Sequence, residues 1–168
     1  REEVDEAWPG DVVGLFDPGI FRIGDTLSTH GGFSFAGIPS FSPEHFSRVQ
    51  VAAVEKRKAL EKGLAQLSQE GAVQLFREPG GGSTAPIVGA IGPLQFDVLV
   101  HRMQSEYKVE LRLEPLPYRV ARWVVSGLDP TLFRHSDATR VVEDRAGNPV
   151  LISESLWHLE RAVERHPE

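Results

Sequence analysis

The sequence has 168 residues, 40% of them hydrophobic, a net charge of −6 and no cysteine. This length supports one ordinary domain, or one domain with a small appendage. The lack of cysteine excludes disulfides and thiolate metal sites and fits a cytoplasmic protein. The acidic balance argues against tight, nonspecific binding to DNA or RNA by the whole surface. Because no apolar run is long enough to span a membrane, we expect a soluble protein with no membrane partner.

Residues 1–38 alternate short apolar stretches with turn signals such as Gly24-Asp25. Val12, Ile23 and Phe33 each lie in one of these apolar stretches. This spacing predicts the last strands of a β-barrel, with open edges. The proline-containing stretch 39–45 predicts a stiff linker to the next domain.

Residues 46–115 contain two similar helix–strand segments. LSQEGAVQL at 67–75 is followed by the similar MQSEYKVEL at 103–111. Each of these segments ends a helix with an apolar stripe and begins an alternating strand, and a further strand precedes each helix. The order strand–helix–strand, twice over, predicts a ferredoxin-like βαββαβ sandwich with both helices on one face of a four-stranded sheet.

The remaining residues, 116–168, predict an α/β extension of the sandwich. It comprises a strand that carries Trp123, a hairpin with its turn at 144–148, and a final helix that carries Leu156 and Leu159. The predicted fold class is therefore α+β, with partial β-barrel strands (1–38), a linker (39–45), the sandwich (46–115) and this C-terminal extension (116–168).

The usual motifs of catalysis and cofactor binding do not occur in this sequence. It has no Gly-x-x-x-x-Gly-Lys-Ser/Thr loop for a nucleotide triphosphate, and its six histidines form no His-Glu-x-x-His set. The glycine-rich stretch 78–86 could form an anion nest, but it joins two strands, so a plain hairpin loop is the favoured interpretation. We therefore nominate no catalytic, cofactor-binding or metal-binding residue.

The densest group of positive charge is Lys56, Arg57 and Lys58, reinforced by Lys62 and by Arg48 on the preceding strand. On a helix, Lys58 and Lys62 lie on the same face. These five residues are the candidate contacts for a nucleic-acid-rich partner. A solvated helix face, tempered by nearby glutamates, is the alternative and is the usual behaviour of a charge run.

Residues 88–110, VGAIGPLQFDVLVHRMQSEYKVE, resemble the strand–turn–helix–strand segment in the third domain of translational GTPases of the elongation factor G type. Those elongation factors usually carry Gly-Glu-Leu-His at the turn, where this chain has Gly92-Pro93-Leu94-Gln95. That departure is similar to the bacterial peptide chain release factor 3 family, the class-II release factors. Further segments share this resemblance: GDVVGL (10–15), RIGDTL (22–27), FAGIPSFSPEHF (35–46), EGAVQLF (70–76) and ARW (121–123).

The resemblance implies that the chain is a fragment, containing the end of a second-domain barrel and a third domain. The GTPase domain, with its GTP or GDP, would belong to a missing N-terminal part, so the fragment itself would not be an enzyme. Members of this family remove class-I release factors from the ribosome after peptide release. The implied partners are the small ribosomal subunit through its RNA and protein, the class-I factor directly or indirectly, and the chain's own GTPase domain.

Two alternatives stay open from the sequence. The first is a fragment of an elongation-type or ribosome-protection-type translational GTPase, against which the Pro93-Leu94-Gln95 departure and the tail after Leu116 speak. The second is a ferredoxin-like regulatory module that senses a small molecule, because that fold hosts many unrelated functions.

Overall fold

The computed structural model describes residues 3–18, 20–21, 23–35, 41–51, 53–80, 85–125, 129, 133 and 138–164. The chain divides into two compact units, Arg1–Ile38 and Pro39–Glu168.

The first unit contains turns and bends but no strand or helix among its described residues. The Asp17 carboxylate accepts the backbone N–H groups of Ile20 and Phe21 at 2.8 and 3.2 Å. Apolar side chains face solvent, with Val12 100% and Phe16 91% exposed. The prediction of barrel strands is wrong for these residues. A strand needs a neighbour to bond its backbone and cover its apolar face, and no described residue of this unit provides one.

The second unit contains all the described helices and strands. In chain order they are β1 (His45–Val51), a 3-10 helix (Val54–Lys56), α1 (Arg57–Gln69), β2 (Gln74–Phe76), β3 (Ile87–Ala90), α2 (Leu94–Tyr107), β4 (Leu111–Leu116), β5 (Val120–Trp123), β6 (Thr139–Glu143), β7 (Pro149–Ser153) and α3 (Leu156–Glu164). The predicted α+β class is confirmed.

A four-stranded antiparallel sheet with the strand order β2-β3-β1-β4 forms the centre of this unit. Both α1 and α2 cover one face of it. The residues buried between helices and sheet are aliphatic throughout: Val49, Leu60, Leu64, Leu67, Val73, Leu75, Val88, Leu99, Met103, Val109 and Leu111. The two similar sequence segments contribute matching pairs to this core, such as Leu67 with Met103 and Val73 with Val109.

The opposite face of the four-stranded sheet packs against a second, three-stranded antiparallel sheet with the order β5-β7-β6. The layer between the two sheets is partly aromatic and contains Phe46, Phe76, Ile87, Tyr118, Ala121, Val142, Val150 and Ile152. Helix α3 covers the outer face of the second sheet through Leu159, which packs with Leu151 and Phe133. The unit is therefore layered as helices, sheet, sheet and helix.

The ends of the helices follow from local chemistry. Gly71 adopts φ +78° just after α1, and Lys108 adopts φ +56° directly after α2, so both helices end in left-handed residues. The Ser155 hydroxyl accepts the backbone N–H of His158 at 3.2 Å and caps the start of α3. Pro93, expected in the first turn of α2, occupies the position just before it, with φ −62°.

Some predicted features lie outside the described residues. These are the glycine-rich stretch at 81–84, most of the turn expected near Leu132, and His166-Pro167 after the last helix. The predicted hairpin at 144–148 does form, because β6 and β7 pair in register on either side of it.

Candidate functional site

The predicted basic residues around α1 lie together on its first two turns. Lys56 precedes the helix, Arg57 and Lys58 begin it, and Lys62 follows one turn after Lys58. All four side chains are exposed. The helical spacing places Lys58 and Lys62 on the same face. The structure thus brings these four of the five predicted residues into one surface, which we call the α1 basic surface.

Most of this charge is not neutralised by neighbours. Arg57 forms an i,i+4 ion pair with Glu61 at 3.4 Å. In the part of the chain that the structure describes, Lys56, Lys58 and Lys62 have no carboxylate within ion-pair distance. Their ammonium groups are therefore available for an anionic partner.

The position of these cations is unfavourable for the helix itself. Helix N-termini carry a partial positive charge and favour acidic residues, at about 0.3–1 kcal/mol each. Helix α1 has no acidic residue in its first turn and no side-chain cap, since Lys56 stands in the capping position. A sequence selected only for stability would favour Ser, Thr or Asp there. The departure indicates a role other than stabilising the helix.

Arg48, the fifth predicted residue, lies elsewhere. It shares the face of β1 that points to the second sheet, because it alternates with Val49 of the helix-covered core. Its guanidinium pairs with Glu78 at 3.4 Å, and Glu78 also pairs with Arg140 of β6 at 3.5 Å. Arg48 therefore helps to join the two sheets and does not extend the α1 basic surface.

A cluster at the other end of α1 was not predicted. Arg102 of α2 bonds Glu106 through Nε at 2.6 Å and Glu70 through Nη1 at 2.5 Å. The hydrogen bonds with Glu106 and then Glu70 raise the pKa of Arg102, and the bond from Arg102 lowers the pKa of Glu106. The two glutamates occupy equivalent positions in the similar segments 67–75 and 103–111. That equivalence was the signal that could have indicated a shared partner.

The turn before α2 is organised by Gln95, the residue that departs from the elongation-factor pattern. Its Oε1 accepts the N–H groups of Ile91 and Gly92 at 2.7 and 3.2 Å. Its Nε2 donates to the Ala72 carbonyl at 3.1 Å and so connects this turn to the end of α1. A side chain with two acceptor lone pairs and a donor fits this position. Its role here is structural.

An exposed aromatic–cation pair lies on α3. Trp157 is 58% exposed, and the Arg161 guanidinium stands 5.1 Å from its ring centroid, within cation–π range. Tryptophan and arginine are enriched in protein interfaces. The i,i+4 spacing of the two residues was readable from the sequence, but it does not by itself distinguish a contact surface from an exposed helix face.

Two searches of the described residues found nothing. Within them, no group of three or more His, Cys, Asp or Glu side chains could hold a metal ion. None of the helices that the structure describes is long and apolar enough to cross a membrane.

Comparison with known proteins identifies the family. The family model described as "Class II release factor RF3, C-terminal domain" matches residues 35–163. The chain belongs to this family. The match covers β1 to nearly the end of α3, so the three-stranded sheet and α3 fall within the class II release factor RF3 domain together with the four-stranded sheet.

Individual relatives agree with the family match. Proteins named peptide chain release factor 3 are 50% identical in Symbiobacterium thermophilum, 45% in Synechocystis and 43% in Synechococcus elongatus, over 97–100% of this chain. The chain spans about a third of the length of these relatives, 30–32%. The family is thus one of translation-termination proteins, and the similarity includes residues of the first unit.

Proposed function

We propose that the chain is the C-terminal, ribosome-contacting region of a translation-termination GTPase that promotes dissociation of class-I release factors from the ribosome after peptide release. The observation that carries this proposal is the 50% identity to a peptide chain release factor 3 over 99% of the chain. Because the chain spans about a third of that relative, GTP or GDP binding and hydrolysis belong to the remaining two thirds of such a protein. The fragment acts in the cytoplasm as a contact region without catalysis of its own.

The domain assignment belongs to the same proposal. We infer that residues 46–115 form a ferredoxin-like third domain, that 116–168 extend it, and that 1–38 belong to the second-domain barrel, with 39–45 as linker. The strand order β4-β1-β3-β2, with α1 after β1 and α2 after β3, supports the ferredoxin-like arrangement. The exposed apolar side chains of the first unit support a role for it as part of a larger sheet.

We further infer that the α1 basic surface contacts phosphates of ribosomal RNA on the small subunit. The unpaired Lys56, Lys58 and Lys62 support this inference, because lysines that neutralise phosphates release counterions and gain affinity. Arg57 shares its charge with Glu61, and Arg48 pairs with Glu78, so both contribute less. The class-I factor and the chain's own GTPase domain are the other partners, the former contacted directly or through the ribosome.

A chimera tests the main proposal. The C-terminal third of the Symbiobacterium thermophilum relative is replaced by this chain, and the dissociation of a class-I release factor from post-termination ribosomes is measured with GTP. We expect a rate close to that of the unmodified relative. A chimera that is folded and binds GTP but does not accelerate dissociation would contradict the proposed function.

Co-sedimentation with ribosomes over a salt series tests the α1 basic surface. The full chain is compared with a triple variant, Lys56→Glu, Lys58→Glu and Lys62→Glu. We expect weaker binding and a shallower dependence on salt, by roughly two to three phosphate contacts at a slope of about 0.7–0.9 per contact. The matched control, Arg119→Glu, Arg122→Glu and Arg145→Glu, changes three exposed cations on β5 and the nearby turns by the same total charge. Equal losses in both triple variants would show a general charge effect and remove the inference about this surface.

A further inference from the structure

The two sheets leave edge strands whose backbone groups need partners. In the four-stranded sheet these are β2 and β4, and in the three-stranded sheet β5 and β6. The edges of β2 and β6 join each other, because Arg77 and Glu143 exchange backbone hydrogen bonds of 2.9 and 2.7 Å. Within the described residues, β4 pairs only with β1, so its outer edge has no strand beside it.

The hydrogen-bond phase of β1 shows which residues of β4 face this edge. The Val49 N–H donates to the Pro86 carbonyl on the side of β3 at 2.8 Å. Backbone groups alternate along a strand, so Arg48 and Gln50 direct theirs to β4, where Glu114 and Arg112 lie opposite. It follows that Leu111, Leu113 and Pro115 direct their backbone groups outward, and that the missing N–H of Pro115 costs the sheet nothing.

A groove accompanies the outer edge of β4. It has a volume of about 290 Å³ and lies between α2 and β4. Val100, Val109 and Leu111 form its apolar part, and polar side chains border them. An edge strand with free N–H and C=O groups beside an apolar groove is the arrangement that binds an added strand.

We propose that β4 pairs antiparallel with β4 of a second copy of this chain, about a two-fold axis at Leu113. The two Leu113 residues then exchange backbone hydrogen bonds, and each Leu111 N–H donates to the carbonyl of the partner's Pro115. On the helix side, the partner's Pro115 stands opposite Leu111 and enters the groove. On the other side, Arg112 stands directly opposite the partner's Glu114, and the symmetry repeats this ion pair.

The charges select this register over its neighbours. A shift that placed Arg112 opposite the partner's Arg112 would oppose two cations, and a shift centred on Glu114 would oppose two carboxylates. Both side chains are exposed, so neither has to leave a buried partner. Glu114 accepts a 2.9 Å hydrogen bond from Gln50 within its own chain, and its carboxylate retains lone pairs for the partner's arginine.

Charge exchange tests the pairing. Sedimentation equilibrium of the full chain over a wide concentration range is compared with Arg112→Glu, Glu114→Arg and the double exchange. We expect a reversible dimer for the unchanged chain. Each single variant should weaken it about tenfold or more, because the two symmetric ion pairs become two like-charge pairs. The double exchange restores opposite charges and should return the dissociation constant to within about threefold.

The controls separate this interface from other association. Arg122→Glu, on the free edge strand β5, should leave the dimer unchanged. Circular dichroism of each variant checks that the fold is retained. A chain that stays monomeric at all concentrations would overturn the proposal, as would a dimer that the single exchanges do not weaken or the double exchange does not restore. Ribosome binding does not enter this test, so its outcome is independent of the proposed function.

Discussion

The two faces of the four-stranded sheet are buried by different means. The helix-covered face is filled by aliphatic side chains, with the flexible Met103 at its centre. The face against the second sheet contains an aromatic group in which Phe46 lies 5.9 Å from Phe76 and 6.4 Å from Tyr118, centroid to centroid. The aliphatic face comes from one short, repeated stretch of sequence, whereas the aromatic face combines residues from the sandwich and the tail. The difference teaches that the tail completes the sandwich by covering its second face.

The largest expected effect follows from that conclusion. Phe46→Ala should lower the free energy of unfolding by about 3–5 kcal/mol, because it removes a fully buried ring between the two sheets. Leu67→Ala, on the helix-covered face, should cost about 2–5 kcal/mol. Urea unfolding followed by far-UV circular dichroism measures both.

The shape of these transitions tests whether the two faces belong to one cooperative unit. If they do, both variants unfold in a single step at lower urea. A Phe46→Ala protein that loses only part of its signal early, and the rest at the original midpoint, would show that the tail unfolds separately. The comparison of the faces would then describe two folding units in place of one.

Two glycines sharpen the contrast between an adaptable face and a rigid one. A Cβ at Gly89 would lie 2.8 Å from Phe76 and 2.9 Å from Pro43, both on stiff rings. A Cβ at Gly63 would lie 2.6 Å from the Met103 sulfur, which can move. Gly89→Ala should therefore lower the free energy of unfolding by about 1–3 kcal/mol. Gly63→Ala should change it by less than about 1 kcal/mol, since the gain in helix propensity offsets the displacement.

Chemical denaturation of both variants measures this difference. Equal losses for Gly63→Ala and Gly89→Ala would show that Met103 is held as firmly as the aromatic rings, and the distinction between the faces would disappear.

The same contrast explains what could be predicted from the sequence. The helices and strands of residues 46–115 followed from periodicity, because each amphipathic segment is coded by neighbouring residues. The strands expected before residue 36 failed for the opposite reason. Val12 and Ile23 have strand propensity, but propensity gives no partner strand, and the described residues of that unit supply none.

The candidate site was predictable only in part. The grouping of Lys56, Arg57, Lys58 and Lys62 followed from helical spacing, and the structure places them together. The position of Arg48 did not follow, because the face of β1 on which it lies, and its pairing with Glu78, depend on a partner 30 residues away. Long-range pairings of this kind have no local sequence signal.

An intermediate effect is expected at the turn that joins β3 to α2. Gln95→Ala removes the acceptor for the N–H groups of Ile91 and Gly92 and the donor to Ala72. We expect a loss of about 1–2 kcal/mol in the free energy of unfolding. Gln95→Glu keeps the acceptor but not the donor, so it should retain part of the stability. Thermal unfolding of the two variants measures the order, and a Gln95→Glu protein less stable than Gln95→Ala would contradict it.

The smallest effect concerns pH and the hairpin of the second sheet. Asp144 accepts hydrogen bonds of 2.9 Å from the Trp123 indole and from the backbone of Ala146 and Asn148. Burial opposes its ionisation, but these bonds, with that from the Asn148 side chain, outweigh it and lower the pKa of Asp144. Since the folded pKa lies below the unfolded value of about 3.9, the stabilisation is present above that pH and is lost as the pH falls through the folded pKa.

Comparison with Asp144→Asn isolates this contribution, because all other carboxylates, including Glu106, titrate in both proteins. The advantage of the unchanged chain in free energy of unfolding should be constant from about pH 7 to 5 and should shrink between about pH 4 and 2. We expect the change to be below about 1 kcal/mol, since the carboxylate is partly exposed. Because Asp144 bonds the tryptophan that packs against Phe76 at 6.4 Å, a shrinking difference would show that the second sheet supports the aromatic face through a titrating group. A difference that stays constant down to pH 2 would show that the hairpin is held by its backbone bonds alone.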